Sequence, residues 1–135
     1  MSESKTNSYL LMSRSDEWYQ QLSREELQRI ISDNKAWVER LITAGKARPG
    51  VALAREGATV SGKRVVLDGP YAESKEAIGG TLVLDVATMD EAIAIASACP
   101  SLRHGGDIEI RPISNECPLV ACAREKEQQL APVAA

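Results

Sequence analysis

The sequence predicts an α+β fold, a ferredoxin-like antiparallel sheet with two helices on one face and a short meander inserted between its halves. Three observations lead there. Two segments of helical spacing each open on a capping signal, at Ser23 and at Thr88. Short apolar or alternating stretches flank them, in the order strand, helix, strands, strand, helix, strand. That order is the split βαβ arrangement.

The first strand candidate is Tyr9-Leu10-Leu11-Met12, apolar throughout like a buried central strand. The first helix is announced by Ser23, with Glu26 three residues on to complete a capping box. Leu22 and Leu27 are spaced for a hydrophobic staple across the cap. The apolar stripe then runs through Leu27, Ile30, Ile31, Trp37, Val38 and Leu41, and Gly45 is placed to end the helix in a left-handed conformation. Short strand candidates around 51–53, 58–61 and 64–67 follow, with turns at Glu56-Gly57 and Gly62-Lys63. These make the meander.

Asp68 to Ile78 reads as a loop with Gly79-Gly80 at its end, and Thr81 to Val86 as a mostly apolar strand. Thr88 and Glu91 cap the second helix, whose stripe of Ala92, Ile93, Ala96 and Cys99 is narrow enough for close packing on a sheet. Pro100 stops it. Asp107 to Arg111 alternates, so if Ile108 and Ile110 face the helices, Glu109 and Arg111 face the open side of the sheet. After Pro112 the pattern fades. The expected division is a domain at 8–114 and a tail at 115–135, with a short exposed helix at 124–129 and a frayed end. Cys117, Leu119 and Val120 offer the tail a means of docking.

Composition narrows the function classes. A chain of 135 residues with 44% hydrophobic residues suits one ordinary domain with a real core. No apolar run is long enough to span a membrane, and Met1 to Lys5 lack the apolar stretch of a secretory signal, so the expected location is the cytoplasm with no membrane partner. The net charge of −3, without a cluster of Lys and Arg, argues against direct nucleic-acid binding. Trp18 and Trp37 accordingly read as core or interface residues rather than base-stacking platforms. The three cysteines are odd in number and lack framework spacing, as expected of reduced thiols. Cys117 and Cys122 have no histidine nearby and His104 is the only one in the chain, so neither a metal site nor a cofactor is expected.

Residues 68–80 read DGPYAESKEAIGG, which strongly resembles the motif of the DGPF family within the YCII-related proteins. The resemblance runs from about Ser8 to Ser114 and ends on Glu109-Ile110-Arg111-Pro112-Ile113, which looks like the family's closing strand. It implies a homodimer whose sheets pair face to face as a dimeric α+β barrel. Some YCII-related proteins carry a His and an Asp suspected of forming a catalytic pair. Here Asn34 falls about where that His would sit, inside the stripe of the first helix. An amide does not exchange a proton near neutral pH, so it cannot act as that base. Asn34 either hydrogen-bonds to a neighbouring backbone group or contacts a ligand.

The motif loop has the same two readings. Asp68, Gly69 and Pro70 favour a sharp turn, and Gly79-Gly80 permit unusual backbone angles or a close approach, so the loop can be purely structural. Alternatively Asp68, Tyr71, Glu73 and Lys75 rim a pocket together with Glu109 or Arg111. Three functional classes follow. The first is a small-molecule-binding protein with its ligand between the paired sheets. The second is an enzyme of unassigned reaction using Asp68, Glu73 or His104, its catalytic residues otherwise unknown. The third is an interaction module associated with sigma-factor-dependent transcription, since members with the DGPF motif often occur beside alternative sigma factors.

Overall fold

A computed structural model describes residues 7–14, 18–62, 65–68 and 78–130. Strand β1 (Asn7–Arg14) lies inside a four-stranded antiparallel sheet, between β5 (Ile78–Val86) and β6 (Ile108–Pro112). β2 (Ala47–Ala52) takes the far edge beside β5, giving the order β2-β5-β1-β6. Helices α1 (Arg24–Thr43) and α2 (Met89–Ser97) connect these strands, and β3 (Gly57–Val60) pairs with β4 (Val65–Asp68) in a separate two-stranded sheet. A third helix, α3 (Pro118–Leu130), follows β6. The α+β, ferredoxin-like reading holds.

Period-two alternation assigns the faces. Tyr9, Leu11, Leu82, Leu84 and Val86 are buried with Trp37 of α1 and Ala92 and Ala96 of α2, and Ile108 and Ile110 pack against this core. Leu84 is fully enclosed. On the open face Leu10 stands opposite both Val83 and Arg111, and Met12 opposite Thr81 and Glu109.

Both helix starts follow their sequence signals. Ser23 Oγ accepts from Glu26 N–H at 3.1 Å while the Glu26 carboxylate accepts from Ser23 N–H at 3.2 Å. Thr88 Oγ accepts from Glu91 N–H at 3.1 Å. Gly45 sits at φ 75°, just past the end of α1. The stripes are narrower than their apolar residues. Ile30 and Trp37 are buried, but Ile31 is 65% exposed, because it lies a further 100° around the helix. On α2, Ile93 is exposed and Ile95 packs inward instead.

Three boundaries differ from expectation. The first meander strand begins at Ala47 rather than 51 and belongs to the main sheet. Pro49-Gly50 hides it in the sequence, yet Pro is tolerated on an edge strand, where no ladder partner awaits its missing N–H. Gly50 is required there, since a Cβ would lie 2.0 Å from the Thr81 carbonyl oxygen. Gly79 and Gly80, expected at a loop's end, lie within β5. The tail forms a longer helix than expected, from Pro118, and Leu119 and Val120 are exposed on it rather than docked.

Candidate functional site

The inward stripe of α1 places Asn34 between Ile30 and Trp37, pointing with them toward the sheet. Opposite it, Cys99 closes α2 and Pro100–His104 forms a 3-10 turn carrying Ser101. That turn is held by Gly105 at φ 99° and by Gly106, whose N–H donates to the Ser101 carbonyl at 3.1 Å. A Cβ on Gly106 would come within 3.0 Å of that carbonyl and 3.3 Å of Trp18. A side chain at Gly106 would therefore press on both neighbours.

Asn34 Nδ2 donates to Ser101 Oγ at 3.0 Å, and the Cys99 thiol approaches Asn34 Oδ1 at 3.8 Å. Ser101 Oγ also lies 3.4 Å from Asn34 Oδ1, so the amide oxygen faces both Cys99 and Ser101 while its nitrogen donates to Ser101. Asn34 thus hydrogen-bonds to side chains 65 and 67 positions away.

These groups line a cleft between α1 and the helix-facing side of the sheet, with a volume of about 390 Å³. Its walls are mostly apolar: Leu11, Trp37, Val38, Val51, Leu82 and Ile108, with Asn34, Ser13, Cys99 and Ser101 as polar points. A second pocket of about 300 Å³ adjoins it, sharing Ser13, Asn34, Cys99, Ser101 and Ile108. Trp18, Arg14, Arg55 and Asp107 line this outer part. Leu53 and Gly79, also at the outer pocket, are joined by Leu53 N–H donating to the Gly79 carbonyl at 2.9 Å. That bond clamps the base of the segment carrying β3, β4 and the motif loop.

The expected site residues separate. Asn34 is in the cleft, whereas Glu109 and Arg111 are on the open face of the sheet, with Glu109 bonded to Arg14 at 3.0 Å. Asp68 ends β4 in the separate hairpin. Tyr71, Glu73 and Lys75 lie outside the described residues. His104 is exposed and stacks on Trp18, with ring centroids 6.5 Å apart. Sequence reasoning missed Ser13, Ser101 and the cleft-lining role of Cys99. Nothing in the sequence links Ser101 to Asn34, because their meeting depends on how the second helix packs.

The open face holds a polar cluster the sequence did not announce. Arg48 grips Asp85 with Nε at 2.6 Å from Oδ2 and Nη2 at 2.9 Å from Oδ1, and Ser8 Oγ donates to Oδ1 at 2.7 Å. These bonds, Arg48 first, hold the Asp85 carboxyl below the usual carboxylate range against the opposing effect of burial. Among the described residues no three His, Cys, Asp or Glu come together as metal ligands, and no helix is long and apolar enough to cross a membrane.

Comparison with known proteins gives two matches. The model of the YCII-related domain matches residues 8–116. An uncharacterised protein of Rhizobium meliloti (strain 1021) is 35% identical over 101 residues, covering 68% of this chain and 79% of that protein. With the domain match running from β1 through β6, the chain belongs to the YCII-related family.

Proposed function

We propose that the protein binds a small molecule in the cleft between α1 and the sheet, as one half of a homodimer paired through the open face of the sheet. The observation that carries the binding reading is the cleft itself. A cavity of about 390 Å³ with apolar walls and a few convergent polar groups has the size and chemistry of a ligand site. This moves the ligand from between paired sheets to the helix side. Asp68, Tyr71, Glu73 and Lys75 remain candidates for its rim, since Leu53 and Gly79, at the base of their segment, line the outer pocket. The same loop motif supports a place among the DGPF-type members of the family.

Glu109 and Arg111 take a different part in this reading, on the dimer face. Leu10 and Val83, half-buried beside the buried Met12, form an apolar strip there, with Arg14–Glu109 and Arg48–Asp85 ion pairs beside it. An apolar centre with a polar rim, repeated by a two-fold axis, is the anatomy of a self-pairing surface. The unpaired thiols of Cys99, Cys117 and Cys122 accord with work in the cytoplasm. Acid–base catalysis has less support, because His104 does not line the cleft.

Two-dimensional NMR of the full chain with a mixture of small aromatic fragments tests the binding site. We expect shifts clustered at Asn34, Trp37, Cys99 and Ser101. Shifts confined to the open face of the sheet would return the ligand to the space between sheets.

A further inference from the structure

Every polar side chain that the described residues offer to the inner cleft is neutral, apart from a thiol. Asn34, Ser13 and Ser101 supply amide and hydroxyl groups, and among the described lining residues only Cys99 can ionise at all. An ionised ligand buried there would meet no counter-charge from the described inner-cleft residues, which is costly. Asn34 adds a direction. Its Oδ1 is turned toward the Cys99 thiol, and one Nδ2 hydrogen goes to Ser101. Among the described residues the second Nδ2 hydrogen has no protein partner, and Asn34 is only half-buried, at the cleft wall. A half-exposed donor in an apolar cleft is completed by an acceptor on whatever fills it.

Resting on the binding reading above, we infer that the ligand is an uncharged, mostly apolar molecule bearing a carbonyl or similar acceptor oxygen, and that Asn34 is the residue that selects it. The donor sits on the rigid inward face of α1, oriented by Cys99 and Ser101, so the acceptor is read at a set position against the apolar walls. Discrimination then has two parts. A hydrocarbon of equal shape fills the space but leaves the donor unpaired. A carboxylate of equal shape pays desolvation, because among the described residues the cations Arg14 and Arg55 line the outer pocket and not the inner cleft.

Acetophenone, cumene and benzoate share one shape and differ in just this respect. NMR titration of each into the full-length protein, read at Asn34, Trp37 and Ser101, measures the difference. Acetophenone should bind about 2–10-fold more tightly than cumene, the range one neutral hydrogen bond supplies. Benzoate should bind more weakly than either. Asn34→Leu should erase the advantage of acetophenone while keeping cumene bound. The comparison on the parent protein stands even if that variant fails to fold. Benzoate matching acetophenone, or acetophenone equalling cumene, would overturn the inference and leave the cleft as a site. If none of the three shifts the cleft resonances, the cleft reading and this inference both fall.

Discussion

Asp85 shows what a single residue contributes on the open face. Arg48 and Ser8 bond its carboxylate, so its folded-state pKa is depressed below that of the unfolded chain. A depressed carboxylate pKa means stability that is fully present above the unfolded value, about 3.9, and lost as pH falls through the folded value. Asp85→Asn should therefore lower the melting temperature near neutral pH, and the gap from the parent should close as pH drops below about 4. Melting curves between pH 7 and 3 measure this, and a gap that stays constant would remove Asp85 from the account. None of this is visible in the sequence, where Arg48 and Asp85 are 37 positions apart. Asn34 is the contrasting case. Its polarity inside an apolar stripe can be noticed in the sequence, but its partners cannot.

At the scale of an element, α1 depends on a local device. Ser23 and Glu26 satisfy each other's backbone N–H groups at the first turn. The same Ser23 backbone bond holds the Glu26 carboxyl below its usual value. Ser23→Ala removes one half of the box and should cost about 1 kcal/mol in chemical unfolding, without changing the fold. An unchanged unfolding midpoint would show that packing alone sets the start of α1. This element was legible because caps act within one turn. β2 was legible only in part, because the edge position that tolerates Pro49 and the Thr81 contact that demands Gly50 are both made by β5. α3 is the reverse case. Its helical residues were partly recognised, yet Leu119, Val120 and Leu130 are left exposed on it.

The whole molecule presents a cleft on the helix side of the sheet and an open sheet surface on the other. If the second pairs two copies, charge there should matter more than charge on α3. Arg111 faces outward from β6 opposite Leu10, whereas Lys126 lies on the exposed third helix. Arg111→Glu should weaken self-association more strongly than Lys126→Glu, as read by light scattering over a dilution series. A parent protein that is monomeric at micromolar concentration would defeat the dimer proposal outright. The division between faces also sorts the expected site residues, with Asn34 on the cleft side and Glu109 and Arg111 on the open side of the sheet.

The sequence by itself determined where the first two helices begin, the order of the elements up to β6 and which residues of β6 share a face. Those properties rest on caps and periodicity, which act between residues a few positions apart. Tertiary structure decided that Ile30 rather than Ile31 enters the core, that β2 joins the main sheet while β3 and β4 stand apart, and that Asn34 meets Cys99 and Ser101. The reason is that strand register and helix packing bring together groups whose sequence separation carries no signal, and a cleft is made wholly of such meetings.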